Sequence, residues 1–203
     1  MNYIIIFLAA YLLGCSNLAY YISRAKGFNI RGKGTGNLGA SNTTVLIGWG
    51  AGIAVAVHDI GKAALAVILA RFFFPGTPNI GAVAGVATVL GHIFPFYLGF
   101  KGGKGFASYF GMTLALNWKY ALILACLVVM ITLISDYIVL GTFTTVSLSP
   151  IVLGFLSHSP ILFLILLTGS TVILYKHREN ITRLRNGTEL GLRSAIKGEH
   201  RCK

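Results

Sequence analysis

Seven apolar runs decide the solvent of this chain. They lie at residues 3–22, 45–73, 79–99, 105–117, 120–135, 137–156 and 160–175 of 203. A helix rises about 1.5 Å per residue, so roughly 20 apolar residues cross the ~30 Å hydrocarbon core of a bilayer. The expected fold is all-α: a polytopic integral membrane protein of about seven transmembrane helices, forming one domain over 1–203. The runs 105–117 and 120–135 are short for full spans. If the first lay in the interface and 120–156 were one broken span, five crossings would remain. Between the runs, Pro75-Gly76-Thr77-Pro78 and Ser157-His158-Ser159-Pro160 read as turns and Lys101-Gly102-Gly103-Lys104-Gly105 as a basic glycine loop. Asn117-Trp118-Lys119 reads as an interfacial stop.

Charge sets the orientation. Only 11% of the residues are charged, yet 17 are Lys or Arg and 5 are Asp or Glu. A basic nucleic-acid-binding or disordered tail would be poor in Leu, Ile, Val and Phe. An apolar share of 55% points to membrane lipid as the surroundings and away from nucleic acid. The first run lacks the positive charge that precedes a signal peptide's apolar region; Arg24, Lys26, Arg31 and Lys33 follow it. Basic loops stay inside, which puts the N-terminus outside and the 24–44 loop in the cytoplasm. Seven crossings then place 14 of the 17 basic residues inside, in that loop, the 101–104 loop and the 176–203 tail. Arg71 and Lys119 fall outside and Lys62 lies within a span. Cys15, Cys126 and Cys202 form no C-x-x-C pair and no cluster with histidine, so neither a disulfide framework nor a metal site is expected.

In so apolar a chain, polar residues are costly and their position is informative. They gather in three cytoplasmic segments. The first runs from Asn29 to Asn42, with Asn42 or Ser41 as the natural N-cap of the following helix. Its Gly34-Thr35-Gly36-Asn37-Leu38-Gly39 matches G-x-G-x-x-G without the strand and βαβ unit that the dinucleotide fingerprint needs. Glycines let a backbone approach an anion and a helix N-terminus offers it N–H groups, so a phosphate site competes with a plain flexible loop. The second segment is Gly91-His92-Ile93-Phe94-Pro95 with Phe100-Lys101-Gly102-Gly103-Lys104-Gly105. It is no Walker A loop, since Leu98 and Gly105 stand where Gly and Ser/Thr are required. Its lysines and backbone amides could wrap a phosphate, or the segment could be a basic turn that sets topology. The third follows the last span: on a helix continuing from it, His177, Asn180, Arg183 and Leu184 share a face while Arg178 and Arg185 point elsewhere. Here the alternative is an ordinary positive anchor. Within the second span Asp59 and Lys62, three residues apart, read as an intramembrane ion pair giving structural support. His58, pointing to another face, and His158, in an outside turn, receive no function.

Several chemistries are excluded. The chain has no G-x-S-x-G elbow, no H-E-x-x-H, no H-x₄-D, and too few scattered carboxylates for a metal site. What remains is a set of basic glycine segments on an apolar core, suited to substrates that join phosphate to an apolar tail. An organic-phosphate transporter with re-entrant glycine loops is the competing class, but no inverted repeat is visible. A purely structural anchor would not need three polar clusters.

In order and spacing these segments resemble the three cytoplasmic motifs of the bacterial acyl-phosphate:glycerol-3-phosphate acyltransferases. The likeness rests on Gly34-Thr35-Gly36-Asn37…Gly39-Ala40-Ser41-Asn42, on Gly91-His92…Pro95…Phe100 to Gly105, and on His177…Asn180-Ile181…Arg183-Leu184…Gly187-Thr188-Glu189, with the Asp59…Lys62 pair. Departures from the family pattern are Gly14-Cys15-Ser16-Asn17, Asn29 and Ala63. The resemblance implies transfer of a fatty acyl group from acyl phosphate to the 1-hydroxyl of sn-glycerol 3-phosphate, giving lysophosphatidic acid and phosphate, the first step of phospholipid synthesis. It implies no cofactor, a multi-pass place in the bacterial inner membrane with the active site facing the cytoplasm, and a functional link to a soluble enzyme that makes acyl phosphate. By the same resemblance Lys104, His177 and Asn180 are expected to be catalytic. Thr35, Gly36, Asn37, Asn42, His92, Lys101, Gly102, Gly103, Gly105, Arg183 and Glu189 are expected to bind substrate. Either His177, with an unperturbed pKa near 6.5, or a substrate phosphate is the expected base.

Overall fold

The computed structural model describes residues 1–197; Cys202 and the last two basic residues of the tail lie outside them. The chain forms two compact units, Met1–Leu116 and Asn117–Lys203. The described residues are helical with no strand. Five stretches are long and apolar enough to cross a membrane, or six when a bent pair at the end counts as one.

In the first unit the helices are α1 (Asn2–Cys15), α2 (Leu18–Ala25), α3 (Ala40–Ile47), α4 (Trp49–Phe73), α5 (Ile80–Ile93) and α6 (Phe106–Leu116). The 3–22 run is broken rather than continuous: Asn17 leaves the helix with extended backbone and its side chain accepts the N–H of Tyr20, starting α2. α1 and α5 cross at small residues. A Cβ on Gly14 would overlap the Thr88 carbonyl and one on Gly91 the Tyr11 carbonyl, while Thr88 Oγ1 donates to Ala10 O at 3.2 Å. Lipid tails are as apolar as leucine, so such close backbone approach, rather than hydrophobic contrast, holds membrane helices together. Large side chains such as Ile4, Phe72 and Phe73 face outward. α6 has 11 residues, about 17 Å, too short to cross alone.

The second unit contains α7 (Trp118–Ser135), α8 (Ile138–Leu156), α9 (Pro160–Lys176), α10 (Arg178–Arg185) and α11 (Leu192–Lys197). α7 begins where the side chain of Asn117 accepts the N–H of Tyr120, and α9 where Ser159 accepts that of Leu162. The 120–135 run, which reads as short, is a helix of 18 residues, and 120–156 is two helices joined at Asp136-Tyr137 rather than one broken span. The expected straight continuation into the tail is also corrected: α9 and α10 meet at His177 with a 44° bend.

Candidate active site

The first polar segment is a loop with a core of its own. Ile30 and Leu38 are fully buried with Ala19, Val55 and Leu98, so two apolar pegs anchor a glycine-rich chain between them. Helix α3 starts at Ala40 with Gly39 as its cap, and neither Ser41 nor Asn42 caps it. Asn42 is the third residue of the helix, buried, and folds back. Its Oδ1 accepts the N–H of Thr35 at 3.0 Å, and its Nδ2 donates to Lys33 O at 3.2 Å and Asn37 O at 3.1 Å. Both amide hydrogens are therefore engaged by backbone, and Asn42 fixes the curve of the loop. Gly34 and Gly36 take positive φ under it, +58° and +68°, which a side chain would strain. Thr35 is exposed at the crest, with Gly36 and Asn37 half-buried beside it.

Below lies a buried polar cluster. Lys62 Nζ is 2.8 Å from Asp59 Oδ1 and donates to Ser16 O at 2.7 Å and to His92 Nδ1 at 2.9 Å. An ammonium has three donors, and here all three have acceptors. His92 Nδ1 also lies 3.3 Å from Asp59 Oδ1, so one ring nitrogen faces both members of the pair. His58, contrary to expectation, joins the cluster: its Nδ1 lies 3.2 Å from Asp59 Oδ1 and its Nε2 3.0 Å from Ser16 Oγ. The signal was its spacing of four from Lys62, one helical turn.

That cluster carries the second segment. α5 ends at Ile93, and a helix end leaves carbonyls in need of partners. Gly102 N–H donates to Ile93 O at 3.0 Å and Gly103 N–H to His92 O at 3.1 Å. These amides close the end of the helix. The two glycines also serve close approach: a Cβ on Gly102 would overlap His92 O, and one on Gly103 would overlap His92 Nε2 and stand 2.9 Å from Leu38 O. Leu38 O is also held by Asn17 Nδ2 at 3.3 Å, so the first and second segments meet at Gly103. Arg31 adds a second tie, its Nη1 donating to Leu98 O at 3.0 Å. Lys104, partly buried, and the exposed Lys101 flank the joint, with buried Gly105 leading into α6. The first unit has eight Lys and Arg and one acid, Asp59, already matched by Lys62. An excess of positive charge on this unit suits an anion.

In the second unit the predicted face is the buried one. His177 and Asn180 are buried, Arg183 and Leu184 half-buried, Arg178 and Arg185 exposed. His177 stands at the bend with Phe143 edge-on to its ring. Its Nδ1 lies 2.8 Å from Ile173 O; a carbonyl can only accept, so Nδ1 carries a proton and, in the neutral ring, Nε2 the lone pair. Glu189 is a brace. Its Oε1 accepts from Asn180 Nδ2 at 2.6 Å and its Oε2 from Arg183 Nε at 2.7 Å. An acceptor-only group is a poor phosphate ligand, and here both carboxylate oxygens are engaged by the two donors.

Among the described residues no group of three or more His, Cys, Asp or Glu could hold a metal ion. Sequence reasoning brought out every segment but missed the holders: Ser16, Asn17, His58 and the Leu38 carbonyl. Ser16 and Asn17 fall in the Gly14-Cys15-Ser16-Asn17 departure, which was the available signal.

A family model described as glycerol-3-phosphate acyltransferase matches residues 4–187. A glycerol-3-phosphate acyltransferase of Geobacter sulfurreducens is 35% identical over 189 residues, 93% of this chain and 97% of that protein. One of Mesorhizobium japonicum is 38% identical over 180 residues, 88% and 90% of the two chains. Among solved structures, the glycerol 3-phosphate form of PlsY, an integral membrane glycerol 3-phosphate acyltransferase, superposes with TM-score 0.88 at 30% identity over 97% of this chain and 98% of that one. Its lysophosphatidic acid form gives 0.83 at 31% identity, covering 94% and 95%. By sequence along nearly its whole length and by fold, the chain belongs to the glycerol-3-phosphate acyltransferase family.

Proposed function

We propose that this protein transfers a fatty acyl group from acyl phosphate to the 1-hydroxyl of glycerol 3-phosphate. The observation that carries the reading is the Gly103 joint, where two glycine segments, one of them bearing Lys101 and Lys104, meet at the Leu38 carbonyl. Both substrates are phosphorylated, and the product pair, lysophosphatidic acid and inorganic phosphate, keeps both phosphates. The solved relatives are a glycerol 3-phosphate form and a lysophosphatidic acid form of PlsY, which supports the acceptor and the product. The transporter alternative finds no support among them.

Acyl phosphate is a mixed anhydride with a good leaving group, so no acyl-enzyme is needed. The acceptor oxygen bonds to the acyl carbon, the bond from that carbon to the phosphate oxygen breaks, and the hydroxyl proton leaves to a base. Positioning and charge supply the acceleration. Lys104, Lys101 and the exposed crest at Thr35-Gly36-Asn37 hold phosphate, and Asn180 and Arg183, braced by Glu189, orient a substrate. His177 Nε2, with its lone pair, takes the proton; a substrate phosphate is the other base with this capacity. Asn42, His92, Gly102, Gly103, Asp59 and Lys62 shape these groups.

The family match covers both units, which supports reading 1–203 as one transmembrane acyltransferase domain. The same reading takes seven crossings, the N-terminus outside and the C-terminus and active site on the cytoplasmic side of the bacterial membrane. Arg71 Nη1 donating to Ala115 O at 2.8 Å supports the count, because it puts the end of α6 beside the end of α4. Cysteines replacing Asn117 and Ser157 should label from outside intact cells; labelling of either only from the cytoplasm would contradict it. The donor calls for a soluble enzyme that makes acyl phosphate.

The test is product formation in liposomes from palmitoyl phosphate and glycerol 3-phosphate. The parent should make lysophosphatidic acid and Lys104→Ala should lose turnover or acceptor affinity, while Arg178→Ala stays near the parent. A Lys104 variant with near-normal rates at limiting and saturating acceptor would remove it from the phosphate site. His177→Gln should abolish the acid limb of the pH–rate profile; an unchanged profile assigns the base to substrate phosphate.

A further inference from the structure

Asp136 lies in the turn between α7 and α8, far in sequence from every motif, and is one of five acids in the chain. It closes α7 in the left-handed region, φ +73°, its N–H donating to Thr132 O at 2.8 Å. Asp tolerates this conformation better than most residues with a side chain. Three consecutive residues of the tail dock on it. Leu192 N–H donates to Asp136 O at 2.7 Å and Arg193 N–H to its Oδ1 at 2.8 Å. Gly191, buried, lays its bare Cα against the carboxylate, where a Cβ would overlap Oδ2.

Two residues before this clasp stands Glu189, the brace of Asn180 and Arg183. Two residues of chain span at most about 7 Å, so a fixed Gly191 restricts where the Glu189 carboxylate can reach. On the helix side, the stretch from Asn186 to Glu189 is tied by the Thr188 N–H to Arg183 O at 2.8 Å. The brace is thus pinned from both ends, by α10 and by the α7–α8 turn.

We propose that Asp136 is a positioning residue for acyl transfer, acting through the Gly191–Arg193 clasp and Glu189 on Asn180 and Arg183. The proposal rests on the reading that Asn180 and Arg183 serve a substrate. Asp136 touches no reacting atom; its work is to remove freedom from the carboxylate that aims two donors.

The full-length protein is compared with Asp136→Gly and Asp136→Asn. Glycine keeps the left-handed turn and the backbone carbonyl that takes Leu192 N–H but removes the side-chain acceptor of Arg193 N–H; asparagine keeps the turn and a side-chain carbonyl acceptor. The expected result is a KM for glycerol 3-phosphate raised on the order of tenfold in Asp136→Gly and restored in Asp136→Asn, since small displacements of positioning groups are costly. Hydrogen exchange should quicken at residues 188–193 in the glycine variant alone, with α7 and α8 unchanged. Gly191→Ala, which invades the clasp from the other side, should copy the glycine variant. Parental KM and exchange in Asp136→Gly would overturn the proposal, as would equal impairment of the Gly and Asn variants, which would make charge rather than the acceptor decisive. Parental KM in Asn180→Ala would instead overturn the reading of the third segment and with it the kinetic role of Asp136. Exchange at 188–193 would then still report whether the clasp exists.

Discussion

Gly103→Ala is expected to lower kcat/KM for glycerol 3-phosphate by about 100-fold or more, the scale on which small displacements of positioning groups act. The methyl has nowhere to go. On one side it meets His92 Nε2, held through Nδ1 by Lys62; on the other it stands 2.9 Å from Leu38 O, held by Asn17. Neither neighbour is the loose end of a flexible chain, so the Lys101–Gly105 loop must move, and Lys104 with it. A loss of this size corresponds to about 2.7 kcal/mol of transition-state stabilisation. Steady-state rates and a melting curve separate displacement from unfolding: the account expects folded protein with a crippled rate. Parental kcat/KM would mean that the two segments need not meet at this residue.

Lys62→Met should be the most destabilising single change in the first unit. It leaves the Asp59 carboxylate, the Ser16 carbonyl and His92 Nδ1 without the ammonium that now serves all three. Removing one partner of a buried ion pair costs about 3–5 kcal/mol, because the other charge stays in the low dielectric. For a chain of this size that is a fall in melting temperature on the order of 10 °C. Adding Asp59→Asn should recover part of the loss, since the orphaned charge goes with it. A Lys62→Met protein that melts with the parent would contradict the ion pair.

How much of this was legible beforehand differs by residue. Apolar runs gave the helices, and the breaks at Pro75-Gly76-Thr77-Pro78, Asn117-Trp118-Lys119 and Ser157-His158-Ser159-Pro160 followed from local chemistry that needs no tertiary context. Asn42 drew notice by type and place, but its role inverted: as a cap it would serve α3, whereas it turns back to hold the loop that Gly34 and Gly36 curve over it. Only the folded path of that loop brings Lys33 O and Asn37 O to its amide. The α5 carbonyls that take the Gly102 and Gly103 N–H groups are not legible in the loop alone and appear once the helix end is placed. His177 and Asn180 were found because helical spacing survives the bend. Asp136 carried no signal in sequence, since its partners lie more than fifty residues away.

The central claim is acyl transfer from acyl phosphate to glycerol 3-phosphate, and the most direct measurement is inorganic phosphate released from palmitoyl phosphate by the purified protein, with and without the acceptor. Release should depend on glycerol 3-phosphate and match lysophosphatidic acid formed one for one. Release that ignores the acceptor, or no release with both substrates present, would contradict it.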